Sequence, residues 1–333
     1  MKYEFIDQNG RVASQAYGFA TGFWGDYAIA GGTDGVQIVD TNFTPVVSNI
    51  FAQAFPISRD YFWASRESEG EGAIFSFQPF RELRQLVTPV FSSRSSNLPN
   101  SQFGFFIQVR SGLDGGEDYG IHKIATGETS WVNGVRLSPV SAHFCLSSNQ
   151  DTLYRIDGRA VFLGKNVERI IPPNDSVGML HLASGKKLAY RLNGPNVEMI
   201  SPVYAAGLCR DYSEGFFTYS GHNVAGFLDI GGNLFSVKGA VDVGPLNNSK
   251  SIITLASQKK VLFSFFSSTR IGEEFDKLKW LGDDFLFGCR REHKGIWKIV
   301  GDRLVLVREL PTRIYNVDEF RSGFALVSSR PPE

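Results

Sequence analysis

The stretch FLFGCRREHKGIWKI, Phe285–Ile299, shows the pattern from which the whole chain is built. An apolar run leads into a polar turn that carries a glycine, and a second apolar run follows. Short apolar runs bounded by such turns are typical of β-strands joined as a hairpin. Because versions of this two-strand unit recur from the first residues to the last, the sequence predicts a repetitive all-β fold.

Eight complete units follow one another along the chain, and each contains two predicted strands. They are Tyr27–Ala30 with Val36–Asp40, Tyr61–Ala64 with Ala73–Phe77, Phe103–Val109 with Tyr119–Ile124, His143–Leu146 with Thr152–Ile156, Gly178–Leu182 with Leu188–Leu192, Gly215–Tyr219 with Val224–Asp229, Ser251–Leu255 with Val261–Phe265, and Phe285–Cys289 with Gly295–Ile299. The connections between units have room for two further strands, for example Asn196–Ile200 and Tyr204–Cys209. Each repeat is therefore predicted to hold about four strands.

The two ends of the chain each carry half a unit. Gly323–Val327 matches the first strand of a unit, and Tyr3–Asp7 matches the second. Pairing them creates a ninth unit, and nine units in 333 residues correspond to 37 residues per unit. We therefore expect a ring that is closed by joining the N-terminal and C-terminal strands, which would leave no exposed sheet edge between the first and last units.

Four short strands in a repeat of roughly 40 residues are typical of a β-propeller blade. The chain resembles the β-propeller repeat superfamily over essentially its whole length. The resemblance lies in periodicity, because the Gly-His and Trp-Asp pattern of WD40 repeats and the repeated double glycine of kelch repeats are absent. It implies one closed all-β domain over residues 1–333, with eight or nine four-stranded blades and the N-terminal strand completing the last blade.

Three further expectations concern the organisation of the chain. A β-sandwich or two smaller β domains is the alternative to the propeller. The serine-rich stretch Phe91–Ser101 is interpreted as a long loop between blades and not as a linker between domains. Ile271–Leu281 is the one segment whose pattern could form a short helix.

Composition and charge limit the class of protein. With 34 basic and 34 acidic residues the formal net charge is zero, so no general attraction to nucleic acid or to an anionic membrane is expected. Cys145, Cys209 and Cys289 are far apart and lack the spacing of a zinc site, so we expect buried, reduced thiols. Because the sequence shows no apolar signal region and no run of about 18 apolar residues, a cytoplasmic protein is predicted.

The residues that could act in catalysis or bind a metal are better explained by a structural role. Four aspartates end the second strand of a unit, where an Asp side chain commonly accepts hydrogen bonds from the next backbone N–H groups of a turn. The histidines lie in five different units without the spacing of a metal site. The sequence therefore predicts no catalytic residue, no metal and no cofactor. The residues considered are Asp7, Asp40, Asp157 and Asp229, and His122, His143, His181, His222 and His293.

Charge on the turns that join the two strands of each unit is the most informative feature. In a meandering blade these turns all emerge on one face of the ring. Units two and three carry acidic residues on the two longest turns: Glu67, Glu69, Glu71, Asp114, Glu117 and Asp118. Units five, seven and eight carry basic residues: Lys186, Lys187, Lys259, Lys260, Arg290, Arg291 and Lys294. The sequence therefore predicts a face with an acidic arc and a basic arc, either as a solvated rim or as a docking surface.

We expect a non-catalytic protein-binding propeller in which the six acidic residues contact another protein with a basic surface. By analogy, a dedicated inhibitor suits this architecture, such as an immunity protein that neutralises a toxin. The alternatives are an enzyme whose central channel acts on a sugar or lactone, and a structural scaffold subunit. The predicted inner strands Ala52–Ile57, Val135–Val140 and Val203–Cys209 are mostly apolar, which counts against the enzyme. Neither a nucleic acid nor a membrane is expected as a partner.

Overall fold

A computed structural model describes residues 1–48, 50–67, 72–86, 103–111, 116–161, 163, 166–174, 176–200, 208–221 and 224–329. In these ranges the chain forms 33 β-strands in nine antiparallel sheets that follow one another along the sequence. The sheets form a ring, and the protein is a nine-bladed β-propeller. The described ranges contain no helix, and hence none with the length and apolarity to cross a membrane.

The strands are grouped here by blade, from the inner edge outward. Blade 1 contains β2 (Phe19–Ala20), β3 (Tyr27–Gly32) and β4 (Gly35–Asp40); blade 2 contains β5 (Gln53–Pro56), β6 (Tyr61–Ser65), β7 (Gly72–Ser76) and β8 (Arg81–Leu86); blade 3 contains β9 (Phe105–Ser111), β10 (Glu117–Lys123) and β11 (Thr129–Asn133). Blade 4 contains β12 (Leu137–Ser141), β13 (Phe144–Ser147), β14 (Leu153–Arg155) and β15 (Ala160–Val161); blade 5 contains β16 (Val167–Asn174), β17 (Val177–Leu182), β18 (Lys187–Asn193) and β19 (Asn196–Met199); blade 6 contains β20 (Leu208–Ser213), β21 (Phe216–Gly221), β22 (Val224–Asp229) and β23 (Leu234–Ser236). Blade 7 contains β24 (Ala240–Val243), β25 (Lys250–Leu255), β26 (Lys260–Ser264) and β27 (Thr269–Phe275); blade 8 contains β28 (Lys277–Trp280), β29 (Phe285–Arg290), β30 (His293–Val300) and β31 (Arg303–Leu310); blade 9 contains β32 (Ile314–Val317), β33 (Phe324–Ser329) and β1 (Lys2–Asp7).

The N-terminal strand closes the ring, as the sequence predicts. β1 pairs antiparallel with β33 over six residue pairs, from Lys2 with Ser329 to Asp7 with Phe324. The chain then turns back along β1, where the Tyr3 N–H donates to the Tyr17 carbonyl at 3.0 Å. Residues 11–17 thereby complete blade 9 as an irregular fourth strand.

Irregular backbone also completes blade 1, whose sheet has three regular strands. The Val36 N–H donates to the Phe51 carbonyl at 2.8 Å, and the Phe51 N–H donates back to the Val36 carbonyl at 3.0 Å. The described residues 44–48 and 50–51 therefore occupy the fourth position of blade 1. In blade 3 the strands β9, β10 and β11 correspond to the second, third and fourth positions. The residues before them, 87–102, lie outside the described residues, as does the predicted loop Phe91–Ser101.

The hydrophobic core is divided into the seams between neighbouring blades. Buried residues of the described chain form nine clusters, and each cluster combines side chains of two consecutive blades. The seam between blades 9 and 1 contains Phe5 and Leu326 from one side and Phe23, Ala28 and Val39 from the other. Because the second and third strands of a blade are mostly buried on both faces, the two-strand units appear in the sequence as nearly continuous apolar runs.

The three cysteines are free thiols, and all three are buried, as expected. Cys145 lies in the seam between blades 3 and 4, and Cys209 lies in the seam between blades 5 and 6. Burial raises the thiol pKa of Cys145, and it raises that of Cys209 to about 11. Both thiols are therefore protonated at neutral pH and behave as small apolar side chains.

The possible helix at Ile271–Leu281 is wrong, because this segment forms the end of β27 and the whole of β28. Ile271 and Phe275 are four residues apart, which mimics helical periodicity, yet both are buried in the seam between blades 7 and 8. The spacing arises from a shift of register between β26 and β27. Gly272, at φ +73°, supplies the left-handed backbone conformation that this irregularity requires.

Candidate functional site

The alternating direction of the strands sorts the turns onto two faces of the ring. We call the B–C face the side that carries the turns between second and third strands, together with the links between blades. The A–B face is the opposite side, with the turns between first and second strands and between third and fourth strands. The predicted acidic and basic turn residues that the structure describes belong to the B–C face.

The six predicted partner-binding carboxylates differ in environment. Glu67 follows β6 and is exposed, and its backbone N–H donates to the Ser65 hydroxyl at 3.2 Å. Glu117 is exposed at the start of β10, whereas Asp118 is buried. The other three, Glu69, Glu71 and Asp114, lie outside the described residues.

Asp118 forms an ion pair within its own blade. Its Oδ2 lies 3.3 Å from Nε of Arg110 on the neighbouring strand β9, and its side chain is only 12% exposed. The Arg110 guanidinium also stacks on the Trp131 ring, 4.0 Å from the ring centroid. This arrangement holds Asp118 inside the sheet, where it links β9, β10 and β11, and Glu117 is the exposed carboxylate at this end of β10.

Glu117 lines a cleft of about 380 Å³ at the seam between blades 3 and 4. Blade 3 contributes Glu117 and Tyr119, the link to blade 4 contributes Arg136, and the next turn contributes Ser148 and Asn149. The complete lining is Gly116, Glu117, Tyr119, Gly134, Val135, Arg136, Ser148 and Asn149. The cleft thus presents an anion, a cation, a phenol and neutral polar groups on one small surface.

Hydrogen bonds fix the walls of this cleft. The Tyr119 hydroxyl donates to Oε2 of Glu117 at 2.5 Å, and the Ser148 N–H donates to the Arg136 carbonyl at 2.8 Å. The pKa of the Tyr119 phenol is raised by partial burial, then by its hydrogen bond to Glu117 and the charge of that carboxylate, while Arg136 acts in the opposite direction. The phenol is therefore a neutral donor at physiological pH.

The turn of blade 4 that carries Ser148 and Asn149 is held from within. The Ser147 hydroxyl donates to Oδ1 of Asp151 at 2.8 Å and accepts the Thr152 N–H at 3.1 Å. The hydrogen bond from the Ser147 hydroxyl is the main cause that lowers the pKa of the Asp151 carboxyl. Sequence reasoning missed every lining residue except Glu117, because the cleft forms only where two blades meet.

Several residues of the predicted basic arc form ion pairs or hydrogen bonds with nearby acceptors. Lys259 forms an ion pair with Asp276, whose Oδ2 also accepts the Arg291 N–H at 2.5 Å. The hydrogen bond from Lys259, followed by that from Arg291, lowers the pKa of Asp276. Lys294 donates to the carbonyl oxygens of Thr312 at 2.8 Å and Ile314 at 2.6 Å.

Two further residues of the basic arc contribute less positive charge to the surface than the sequence suggests. Arg290 forms an ion pair with Glu273. Lys187 is buried, while its neighbour Lys186 is exposed. The arc is therefore less positive in space than in sequence.

On the A–B face the recurring aspartates form turns, as the sequence predicts. Oδ1 of Asp7 accepts the Asn9 and Arg11 N–H groups at 2.9 and 2.8 Å. Asp40, Asp157 and Asp229 accept equivalent backbone bonds in their own blades. Each carboxylate satisfies the backbone donors of the turn between third and fourth strands.

The histidines remain dispersed around the ring. The Nδ1 atom of His122 lies 2.8 Å from the Thr129 hydroxyl, and the Nδ1 atom of His293 lies 2.7 Å from Oε1 of Glu309. His222 lies outside the described residues. In the described part of the chain, no three His, Cys, Asp or Glu side chains are arranged so that they could hold a metal ion.

One ion pair links the inner strands of two neighbouring blades. Residues 203–207 of the predicted inner strand Val203–Cys209 lie outside the described residues, and β20 extends from Leu208 to Ser213. It thereby adds Arg210, whose Nη1 lies 3.4 Å from Oδ2 of Asp242 on the inner strand of blade 7. The charged side chains Arg210 and Asp242 thus join the inner strands of blades 6 and 7, and Arg210 lies just beyond the predicted bounds Val203–Cys209.

Solved structures similar to this chain share little of its sequence. Kluyveromyces lactis Hsv2 is 11% identical, with 76% of this chain and 96% of that chain covered and a TM-score of 0.43. The C-terminal WD40 domain of Sif2 is 9% identical (85% and 96% covered, TM-score 0.41), and apo AztD from Citrobacter koseri is 10% identical (99% and 99% covered, TM-score 0.44). No family model and no curated protein matches the chain. The ring of nine sheets itself places the chain among the β-propellers.

Proposed function

We propose that this propeller is a non-catalytic protein-binding module and that its B–C face docks another protein. The cleft between blades 3 and 4 is the centre of the proposed contact. The observation that carries the proposal is the position of Glu117, which the sequence singles out by charge alone and which lines this cleft beside Arg136 and Tyr119.

The chemistry of the cleft suits recognition better than turnover. Its lining includes no histidine or cysteine, and its one carboxylate is already engaged by the Tyr119 hydroxyl. Paired donors and acceptors of this kind favour a polar side chain or a peptide group of a partner. Glu67 and Glu117, both exposed on neighbouring blades, favour a partner with a basic surface.

A dedicated inhibitor is the more specific form of this proposal, for example an immunity protein that binds and neutralises a toxin. A closed ring of paired strands would enter such a complex with little loss of conformational entropy. We further propose a cytoplasmic location, since three buried free thiols suit a reducing compartment.

Affinity purification from the source cell tests the proposal with matched charge reversals. Glu117→Lys alters the cleft, and Asp302→Lys makes the same change at an exposed position on the A–B face. We expect a partner to be recovered equally by the wild type and Asp302→Lys, and at least about tenfold less by Glu117→Lys. Equal recovery by all three proteins, with unchanged melting temperatures, would exclude the cleft as the docking centre.

If the partner is a toxin, co-expression supplies the decisive measurement. The wild-type propeller should restore growth of cells that produce the partner, and Glu117→Lys should restore it less. A partner that does not affect growth would favour a scaffold over an inhibitor.

A further inference from the structure

The outer strand of blade 6, β23, is an apolar sheet edge. No other strand of the described chain pairs with its outer side, and all three of its residues are exposed: Leu234, Phe235 and Ser236. The outer strands β8, β19, β27 and β31 contain charged residues, which discourage pairing with another chain. Among the charge-free outer strands of the described chain, β11, β15 and β23, only β23 exposes large apolar side chains, with Leu234 at 43% and Phe235 at 44%. Such an edge is a template for a further strand.

Aromatic contacts hold the side chain of Phe235 in place. Its ring lies edge-on to those of Phe216 and of Phe265 in blade 7, with centroid distances of 5.6 and 5.7 Å. Phe265 in turn contacts Phe266, which is 83% exposed at a turn of blade 7. The apolar surface is therefore formed before a partner arrives, which lowers the entropic cost of binding.

The pairing of β23 with β22 decides which of its backbone groups face outward. Phe235 lies opposite a residue of β22, and the Val237 N–H donates to the Ala225 carbonyl at 2.8 Å. Because the direction of hydrogen bonding alternates along an antiparallel strand, Phe235 and Val237 bond toward β22. The N–H and C=O groups of Leu234 and Ser236 therefore point away from the sheet.

We propose that β23 pairs antiparallel with β23 of a second copy of this chain, with the two-fold axis at Phe235. In this register Leu234 of each copy lies opposite Ser236 of the other, so that their outward N–H and C=O groups bond to one another. An antiparallel strand pair is symmetric, so one edge serves both copies. The register also brings the exposed Lys238 of each copy toward the turn that carries Asp229 of the other, which places opposite charges near one another.

Charge and area indicate a weak homodimer. A two-fold contact brings identical residues together, and β23 has no charge that would repel its own copy, while the formal net charge of the whole chain is zero. The exposed parts of Phe235 and Phe266 amount to about 250 Å² per copy, since an aromatic side chain covers about 150–250 Å². Stable complexes bury about 1,200 Å² or more, so the dimer should be reversible. Because β23 lies on the rim of the ring, dimerisation leaves the cleft between blades 3 and 4 free and does not depend on the proposed docking function.

Analytical ultracentrifugation of the full chain over a concentration series tests the proposal. We expect a reversible dimer with a dissociation constant on the order of 10–100 μM. Phe235→Lys places like charges at the two-fold axis and should raise this constant at least about tenfold. Ser236→Pro removes an outward N–H and should have the same effect, and it leaves the blade intact because proline is tolerated where the N–H of an edge strand faces solvent.

A matched control places the same lysine on another outer strand. Val305 on β31 is 47% exposed, so Val305→Lys should dimerise like the wild type, and all three variants should keep the melting temperature of the wild-type monomer. A wild type that stays monomeric throughout the series would overturn the proposal, and the edge would then be open to an extended segment of a different protein. A dimer that persists in both Phe235→Lys and Ser236→Pro, or one that only Val305→Lys disrupts, would also show that β23 is not the contact.

Discussion

Replacing Phe5 by alanine tests the closure of the ring most directly. Phe5 lies on β1, is fully buried, and packs its ring 5.1 Å from that of Phe23 and 5.2 Å from that of Phe43, both in blade 1. Truncating a buried phenylalanine costs about 3–5 kcal/mol. With an unfolding entropy of about 2.1 cal/mol/K per residue over 333 residues, or about 0.7 kcal/mol/K, the melting temperature should fall by about 4–7 °C.

Differential scanning calorimetry measures this change, and the chain provides a matched control. Phe266 is 83% exposed at a turn of blade 7, so Phe266→Ala should shift the melting temperature by less than about 1 °C. If Phe5→Ala melts within about 1 °C of the wild type, Phe5 does not fill the seam between blades 9 and 1. The closure by the N-terminal strand would then be refuted.

Three further predictions concern the sites. Replacing the three glutamates within residues 67–71 by lysine should slow association with the partner and reduce the salt dependence of the association rate, while the melting temperature stays unchanged. Stopped-flow binding at the wild-type rate across a salt series would show that these residues form only a solvated rim. Cys145 and Cys289 should resist a thiol reagent in the native protein, because both are buried, and rapid labelling of either would contradict this. Glu117→Gln should lower the pKa of the Tyr119 phenol, since it removes a negative charge that raises it; an NMR titration that leaves this pKa unchanged would show that burial alone sets it.

Local sequence was sufficient to predict the two-strand units and the turns within them. The pair at Phe285–Ile299 corresponds to β29 and β30, and every other predicted pair also appears as neighbouring strands of one sheet. Hairpins join residues that are close in the chain, so apolar runs and turn residues carry the necessary information. The same holds for Asp7 and its counterparts, whose side chains bond to backbone groups two and four residues ahead.

The candidate sites depend on contacts between blades, and sequence showed only fragments of them. Charge alone singled out Glu117, but Arg136 and Ser148 come from the next blade and the link to it. Charge also placed Asp118 and Lys187 among the exposed turn residues, whereas both are buried. A one-dimensional pattern records which charges exist, but it does not record which neighbouring blade covers them.

What the sequence determined by itself is the all-β class, the repeat of about 37 residues and the pairing of the two chain ends, because these follow from local periodicity. Only the tertiary structure decided that there are nine blades, since outer strands such as β15 and β23 are short and largely exposed and leave little apolar signal. Only the tertiary structure also assembled the cleft at Glu117 and buried Lys187. Both lie at seams, where side chains meet after the ring has closed and each blade has packed against the next.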